Sequence, residues 1–286
     1  MSFESLMNDI VKNQWDVLGL EVYEKGRLIH SYGDTTEHIY DIYSATKSIV
    51  SVAVGIVYDR GLIDFDQSIM EYLPQDKVEK MSVEQKKTFQ QLTVCRFLTM
   101  SVDGLPFRPE GESYLDYCLS CKIPNPQEKA FHYSNISTYL ICVALTEILG
   151  ENLGKFIERE IFCPLQITKF SYENCPEGYF YGASKMKLSV HDLSKIGLLM
   201  MNGGVYDGKR IISKEYVQMA TAVQQMNREG GYGFFFWKYR DGFSIHGKWK
   251  QRCYCLPEKE WMVTHLAHIE KDTDELLESI EKNLLE

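Results

Sequence analysis

The chain has no excess of positive charge, no apolar run long enough to cross a bilayer and no stretch dominated by Pro, Gly or Ser. Each absence removes a class of protein. With 31 Lys and Arg against 40 Asp and Glu, the formal charge is −9, and without a basic cluster nothing is built to hold a phosphate backbone, so nucleic acid is excluded as a partner. The apolar runs fall short of the roughly 20 residues that a spanning helix needs. The start Met1-Ser2-Phe3-Glu4 lacks the basic segment followed by an apolar one that marks an export signal. The chain as written therefore reads as cytoplasmic, with no membrane partner. There is no flexible linker, internal repeat or low-complexity tract, and 286 residues suffice for one large domain or two interleaved lobes. The eight cysteines are scattered, which in a reducing compartment means free thiols. Cys118-x-x-Cys121 and Cys253-x-Cys255 are the pairs nearest to a zinc site, yet neither has zinc-module surroundings and the second spacing is tight. His265 and His268, three apart on an expected strand, point to opposite faces. No metal or organic cofactor is expected.

What is present is a set of chemistry-bearing residues on elements with clear periodicity. Tyr43-Ser44-Ala45-Thr46-Lys47 opens an apolar helix running to Val57, and residues three apart on a helix share a face, so the Ser44 hydroxyl and the Lys47 amine can meet. A helix that is apolar all round is buried, and burial favours a neutral lysine able to act as a base. The spacing recurs at Ser184 and Lys187, so by itself it is weak. Further on, Phe131-His132-Tyr133-Ser134-Asn135 precedes a second apolar helix. A phenol and a carboxamide two residues apart suit proton transfer and the binding of an amide. Tyr172-Glu173-Asn174 repeats that spacing ahead of Cys175-Pro176-Glu177-Gly178 and reads as a turn. Gly242 to Trp249 alternates like a strand, one that could carry His246 into the same cleft.

In this order these residues resemble the penicillin-recognising serine hydrolases: class C β-lactamases, DD-peptidases and related serine esterases. The segments Gly61 to Asp66, Tyr72 to Pro74, Leu92 to Leu105, Ser189 to Leu193, Asn202 to Gly204 and Gly208 to Ser213 fit the same family, which extends the resemblance over roughly residues 20 to 268. It implies Ser44 as the acylated nucleophile, Lys47 as its base or base partner, Tyr133 as the proton shuttle and Asn135 as the group that binds the substrate amide. It places His246 where many relatives have lysine, and gives Trp249 the second oxyanion N–H beside that of Ser44. The chain departs from the family pattern at Lys248 and Lys250, where glycines are usual; a lysine there narrows the cleft or supplies positive charge for an acidic substrate group, unless the pair is merely solvated.

The implied activity is cleavage of a small ester, amide or β-lactam-like substrate through an acyl-enzyme. The alternatives are a true class C-like β-lactamase or DD-peptidase, or a binding or sensor protein that no longer turns over. Without an export signal, a small ester or amide inside the cell is the expected substrate. The expected fold class is α+β. A hairpin at Gly19 to Gly33 turning at Gly26 joins C-terminal strands at Gly233 to Tyr239, Phe243 to Trp249, Arg252 to Leu256 and Trp261 to Ala267 in one antiparallel sheet. Terminal helices cover the sheet with the stripes Phe3, Leu6, Met7, Ile10, Val11 and Leu276, Leu277, Ile280, Leu284, the second after a capping box at Asp272-x-x-Glu275. Residues 1–286 would then form a single domain with an α/β lobe (1–40 plus 205–286), a mainly helical lobe (41–204) and the active site between them.

Overall fold

The computed structural model describes residues 2–271 and 273–285. Among them are six helices of eight residues or more: α1 (Phe3–Lys12), α2 (Thr46–Asp59), α3 (Asn135–Leu149), α4 (Val190–Met201), α5 (Lys214–Thr221) and α6 (Glu275–Leu284). The main sheet is built from β1 (Val17–Glu24), β2 (Arg27–Gly33), β3 (Trp237–Tyr239), β4 (Gly242–Gly247), β5 (Gln251–Leu256) and β6 (Trp261–Ala267), in the order β2-β1-β6-β5-β4-β3. All its pairings are antiparallel. The N-terminal hairpin thus inserts its first strand beside the last strand of the chain, and the fold class is α+β.

The hairpin turns where Lys25 and Gly26 both take left-handed backbone angles, φ +51° and +72°, the two-residue turn whose twist matches paired strands. β1 is buried along nearly its whole length, because both faces are covered. On one face Leu20, Val22, Tyr254 and Val263 pack with Leu6 and Ile10 of α1 and Leu276 and Ile280 of α6. Val11, counted in the expected stripe of α1, is instead 69 % exposed: the helical step from Ile10 carries it off the buried face. The N-cap of α6 is Asp274, with no side-chain capping bond; the expected box begins at Asp272, which lies outside the described residues. The third expected strand shortens to Trp237–Tyr239 because Gly233 to Phe236 run as a loop, with Phe235 at φ +65°.

The other face meets α4, and the boundary expected at 204 leaves that helix among the middle segment although its contacts are with β1, β5 and β6. Gly197 permits the approach: a Cβ there would lie 2.5 Å from Cys253 Sγ and 2.6 Å from Met262 Sδ. This face also buries the Glu21 carboxylate, which accepts hydrogen bonds from Tyr23 at 2.7 Å and Ser194 at 2.9 Å and lies 3.1 Å from His191 Nδ1. Burial pushes its pKa up, but these partners outweigh burial and hold it below the usual carboxylate range. No helix of the described residues is long and apolar enough to cross a membrane.

α2 runs through the centre of the molecule, buried from Thr46 to Val57. It packs against α3 and α5, and the ring of Tyr216 on α5 lies over Gly55. The Tyr216 hydroxyl donates to the Ser51 carbonyl at 2.7 Å, so the ring cannot swing away. A Cβ on Gly55 would meet ring carbons at 2.5 and 2.7 Å. Alanine favours a helix over glycine by about 1 kcal/mol, while overpacking costs about 1–3 kcal/mol. Gly55→Ala is therefore expected to destabilise the protein by up to about 2 kcal/mol in urea unfolding; a stabilised variant would show that Tyr216 is not fixed.

Candidate active site

Ser44 sits in a single 3₁₀ turn, Tyr43–Ala45, immediately before α2, rather than in the helix itself. Tyr43 takes φ +48°, uncommon for a residue with a side chain, and its carbonyl accepts from Thr46 Oγ1 at 2.6 Å. The turn still brings Lys47 Nζ to 3.2 Å from Ser44 Oγ. Lys47 is 1 % exposed. Its amine donates also to Asn135 Oδ1 at 2.7 Å and to the Ala183 carbonyl at 2.6 Å. Burial pulls its pKa down to about 7, while acceptors for all three protons of the charged form act in the opposite direction.

Tyr133 reaches the same point from a second direction. The residues on both sides of it are tied to the loop at 100–107. The His132 N–H donates to the Met100 carbonyl at 2.6 Å, and the His132 ring nitrogen lies 2.6 Å from the Leu105 carbonyl. The Ser134 hydroxyl donates to Pro106 at 2.6 Å and the Asn135 N–H to Phe107 at 2.7 Å. The loop is itself gripped by the buried guanidinium of Arg96, which donates to the carbonyls of Ser101, Pro126 and Glu128. Tyr133 is left facing the cleft beside Ser44, its pKa pushed up to about 12 by burial against the lowering effect of the Ser44 hydroxyl. Its ring centroid is 5.0 Å from Lys47 Nζ.

Asn135 completes the cluster from the first turn of α3, with Ser134 as N-cap. Its carbonyl oxygen accepts from Lys47 at 2.7 Å, and its carboxamide lowers the pKa of the nearby Tyr181, which burial pushes up to about 12. Tyr181 and the Ala183 carbonyl were not anticipated, since a run such as Tyr181-Gly182-Ala183 carries no motif; a main-chain acceptor has no sequence signature at all. The two decoys fall elsewhere. Ser184 precedes a short strand, Met186–Leu188, whose central residue Lys187 lies 3.5 Å from the Asp41 carboxylate, and the Tyr172 hydroxyl donates to Glu158 at 2.6 Å.

The third side of the cleft differs from expectation in detail. β4 ends against the turn that carries Ser44, and Gly247 permits it: a Cβ there would lie 2.2 Å from the Ile42 carbonyl oxygen. Trp249 follows in a turn, Lys248–Lys250, and its indole meets the Tyr43 ring edge-on at 5.2 Å, so it stands next to Ser44. The glycine-like backbone lies at Trp249 and Lys250, φ +58° and +66°, whereas the expected departures were at Lys248 and Lys250. Lys248 is exposed, its ammonium 4.4 Å from the Trp249 ring centroid. Lys250 is buried and reaches Asp274 at 3.3 Å, so it does not form a solvated pair with Lys248.

His246 does not join the trio directly. Its Nε2 lies 2.8 Å from Ser244 Oγ, and its ring stacks on Trp237 at 5.2 Å. Burial holds it neutral, its pKa well below the ordinary value. Trp237 also stacks on Tyr133 at 5.7 Å, so the indole links the histidine to the phenol. The expected strand Gly233 to Tyr239 covers this stretch, but nothing in the sequence pointed to Trp237 as the wall between His246 and Tyr133.

Cys253 and Cys255 lie 3.6 Å apart in the core, and Cys118 belongs to a short helix, Tyr114–Ser120, outside the sheet. His265 is on β6 with its pKa pulled down to about 3 by burial, whereas His268 falls beyond the strand end rather than on its opposite face. Among the described residues no group of three or more His, Cys, Asp or Glu is placed to hold a metal ion.

The arrangement has known counterparts in fold. A class C β-lactamase from Rhodobacter sphaeroides superposes with a TM-score of 0.76 at 14 % identity, covering 99 % of both chains. A penicillin-binding protein homologue from Caulobacter crescentus gives 0.73 at 14 % identity, over 95 % of this chain and 92 % of that one. A family VIII carboxylesterase gives 0.75 at 12 % identity, over 98 % and 95 %. No curated protein matches the sequence. The family described as Beta-lactamase matches residues 7–283, nearly the whole chain, and the protein belongs to that family.

Proposed function

We propose that the protein is a serine hydrolase that forms an acyl-enzyme on Ser44 and cleaves a small ester or amide, a β-lactam-like amide included. One observation carries the reading: the buried Lys47 amine lies 3.2 Å from the Ser44 hydroxyl and 5.0 Å from the centre of the Tyr133 ring, which comes from a segment nearly ninety residues away in sequence. Hydroxyl, base and proton carrier are what acyl transfer without histidine requires.

The steps balance as follows. Lys47, as the neutral amine, accepts the Ser44 proton as Oγ bonds to the substrate carbonyl carbon. The oxyanion rests on the main-chain N–H groups of Ser44 and Trp249. Collapse breaks the bond to the leaving oxygen or nitrogen, and Tyr133 hands that atom a proton, which Lys47 replaces. Water then attacks the acyl carbon by the reverse relay and frees Ser44. Asn135, already bonded to Lys47, orients the amine and adjoins the acyl group. The left-handed backbone at Trp249 and Lys250 and the indole packed beside Tyr43 favour a second reading, a protein that is acylated but releases its acyl group slowly.

Intact-mass measurement after exposure to a fluorophosphonate, and separately to a penicillin, is expected to show one adduct that Ser44→Ala abolishes; an adduct surviving in Ser44→Ala removes Ser44 as nucleophile. Persistence of the penicillin adduct for hours supports the slow-release reading, and its loss within a turnover cycle supports the hydrolase.

Because only the neutral amine accepts a proton, activity must grow as pH rises through the Lys47 pKa. For short-chain p-nitrophenyl esters, kcat/KM is expected to rise with one ionisation at about pH 7 or above and then to plateau, well short of about 12, where Tyr133 ionises. A profile flat through neutrality excludes Lys47 as the base. Tyr133→Phe keeps the ring stack and deletes only the hydroxyl, so kcat is expected to fall about 100-fold or more with unfolding unchanged within about 1 kcal/mol; near-full turnover removes Tyr133 from proton transfer.

A further inference from the structure

Beyond Tyr133 the molecule opens into a cleft of about 610 Å³, lined by Phe131, Trp237 and Met226 with Arg228 and Glu229 at its rim. That is the size of a small-molecule pocket. Its aromatic wall is continuous with the phenol: Phe131 and Trp237 meet the Tyr133 ring at 6.5 and 5.7 Å and each other at 5.8 Å, with planes inclined by 66°. The wall is held in place. Ser48, one turn along the helix that follows the nucleophile, donates to the Phe235 carbonyl at 2.7 Å; the Lys238 N–H donates to Gly231 at 3.0 Å; and His246 stacks on the indole from within the sheet. Met226, 65 % exposed, stands at the mouth with a flexible thioether suited to an aromatic guest.

On the side of Asn135, Tyr181 leads instead to a cleft of about 370 Å³ that also carries Arg108, Glu173 and Lys185. The two flanks of the centre therefore differ in chemistry: the first sets Phe131, Trp237 and Met226 beside Asn227, Arg228 and Glu229, and the second carries four charged residues, Arg108, Glu110, Glu173 and Lys185. In an acyl transfer the leaving atom must lie at the Tyr133 hydroxyl to receive its proton, and the rest of the leaving group extends along what borders the phenol. Resting on the acyl-transfer reading above, we infer that the Phe131, Trp237 and Met226 groove is the leaving-group subsite and that the substrate is an ester or amide of an aromatic, flat and apolar alcohol or amine. Trp237 is its specificity residue, offering the edge of its indole, whose ring stacks with His246 and Tyr133, to the guest ring.

The test compares benzyl and ethyl esters of one acid. In Ser44→Ala, which cannot be acylated at that oxygen, calorimetric titration is expected to show the benzyl ester bound about tenfold more tightly. Adding Trp237→Ala is expected to bring the ratio close to one, and Met226→Ala, at an exposed position that folding does not depend on, to reduce it several-fold. In the active protein the preference is expected in kcat/KM, while the release step, measured from the common acyl-enzyme, is the same for both esters. Equal binding of the two esters overturns the subsite, as does a preference unchanged by both Trp237→Ala and Met226→Ala. Ethyl esters of an aromatic and an aliphatic acid are compared alongside, and loss of the aromatic-acid preference in Trp237→Ala with none for the benzyl alcohol assigns the groove to the acyl group and overturns the inference. Tight benzyl-ester binding with no acylation of the parent protein separates the failures: it ends the leaving-group role because acyl transfer itself is absent.

Discussion

The site depends on one amine held away from water. Lys47 comes from the first turn of a helix that is buried on every side, and its Nζ is met by Ser44, Asn135 and the Ala183 carbonyl. An isolated ammonium in such surroundings is costly. The chain meets that cost with close acceptors and with a pKa drawn toward neutrality, and both suit the proposed role of Lys47 as a base that gains and loses a proton. The carbonyl reaches the amine because Gly182 turns the chain at φ +64° in a space where a Cβ would lie 2.2 Å from Cys142 Sγ. Asn135, accepting from the amine at 2.7 Å, ties the first turn of α3 to the first turn of α2.

The sheet contributes the opposite wall through close backbone approach more than through side chains. Gly247 brings the end of β4 against Ile42, just before the nucleophile turn. The chain then passes through two left-handed residues that bear side chains, Trp249 and Lys250, and each is fixed by its neighbours: the indole against Tyr43, the ammonium toward Asp274. Such conformations cost of order 1 kcal/mol or more apiece and persist only where the surroundings impose them. They lie where the proposed mechanism needs a backbone N–H aimed at the oxyanion.

Much of this was legible in advance because periodicity is a local property. The hairpin turn at Gly26, the strand Trp261–Ala267 and the all-apolar helix after Ser44 follow from patterns spanning ten residues or fewer. So does the placement of Tyr133 ahead of a second buried helix. What failed is equally particular. The segment before Trp237 has strand-like composition yet runs as a loop, because Ser48 captures the Phe235 carbonyl. Val11 looks like part of a stripe until the helix is set against the sheet.

The order of chemical groups along the chain, and hence the family resemblance, was settled by the amino acids alone, as was the burial of the helix that carries Lys47. Which groups touch was not. Lys47 and Ser44 are one turn apart, so their contact is nearly obligatory once the turn forms, but the contacts with Tyr133, Asn135 and Ala183 join segments far apart in sequence. The displacement of His246 from the trio by Trp237 was likewise decided only when β3 and β4 paired and brought the indole over the imidazole. Hydrogen bonds to main-chain carbonyls and ring stacking between strands depend on packing in three dimensions, and the linear order of side chains does not encode it.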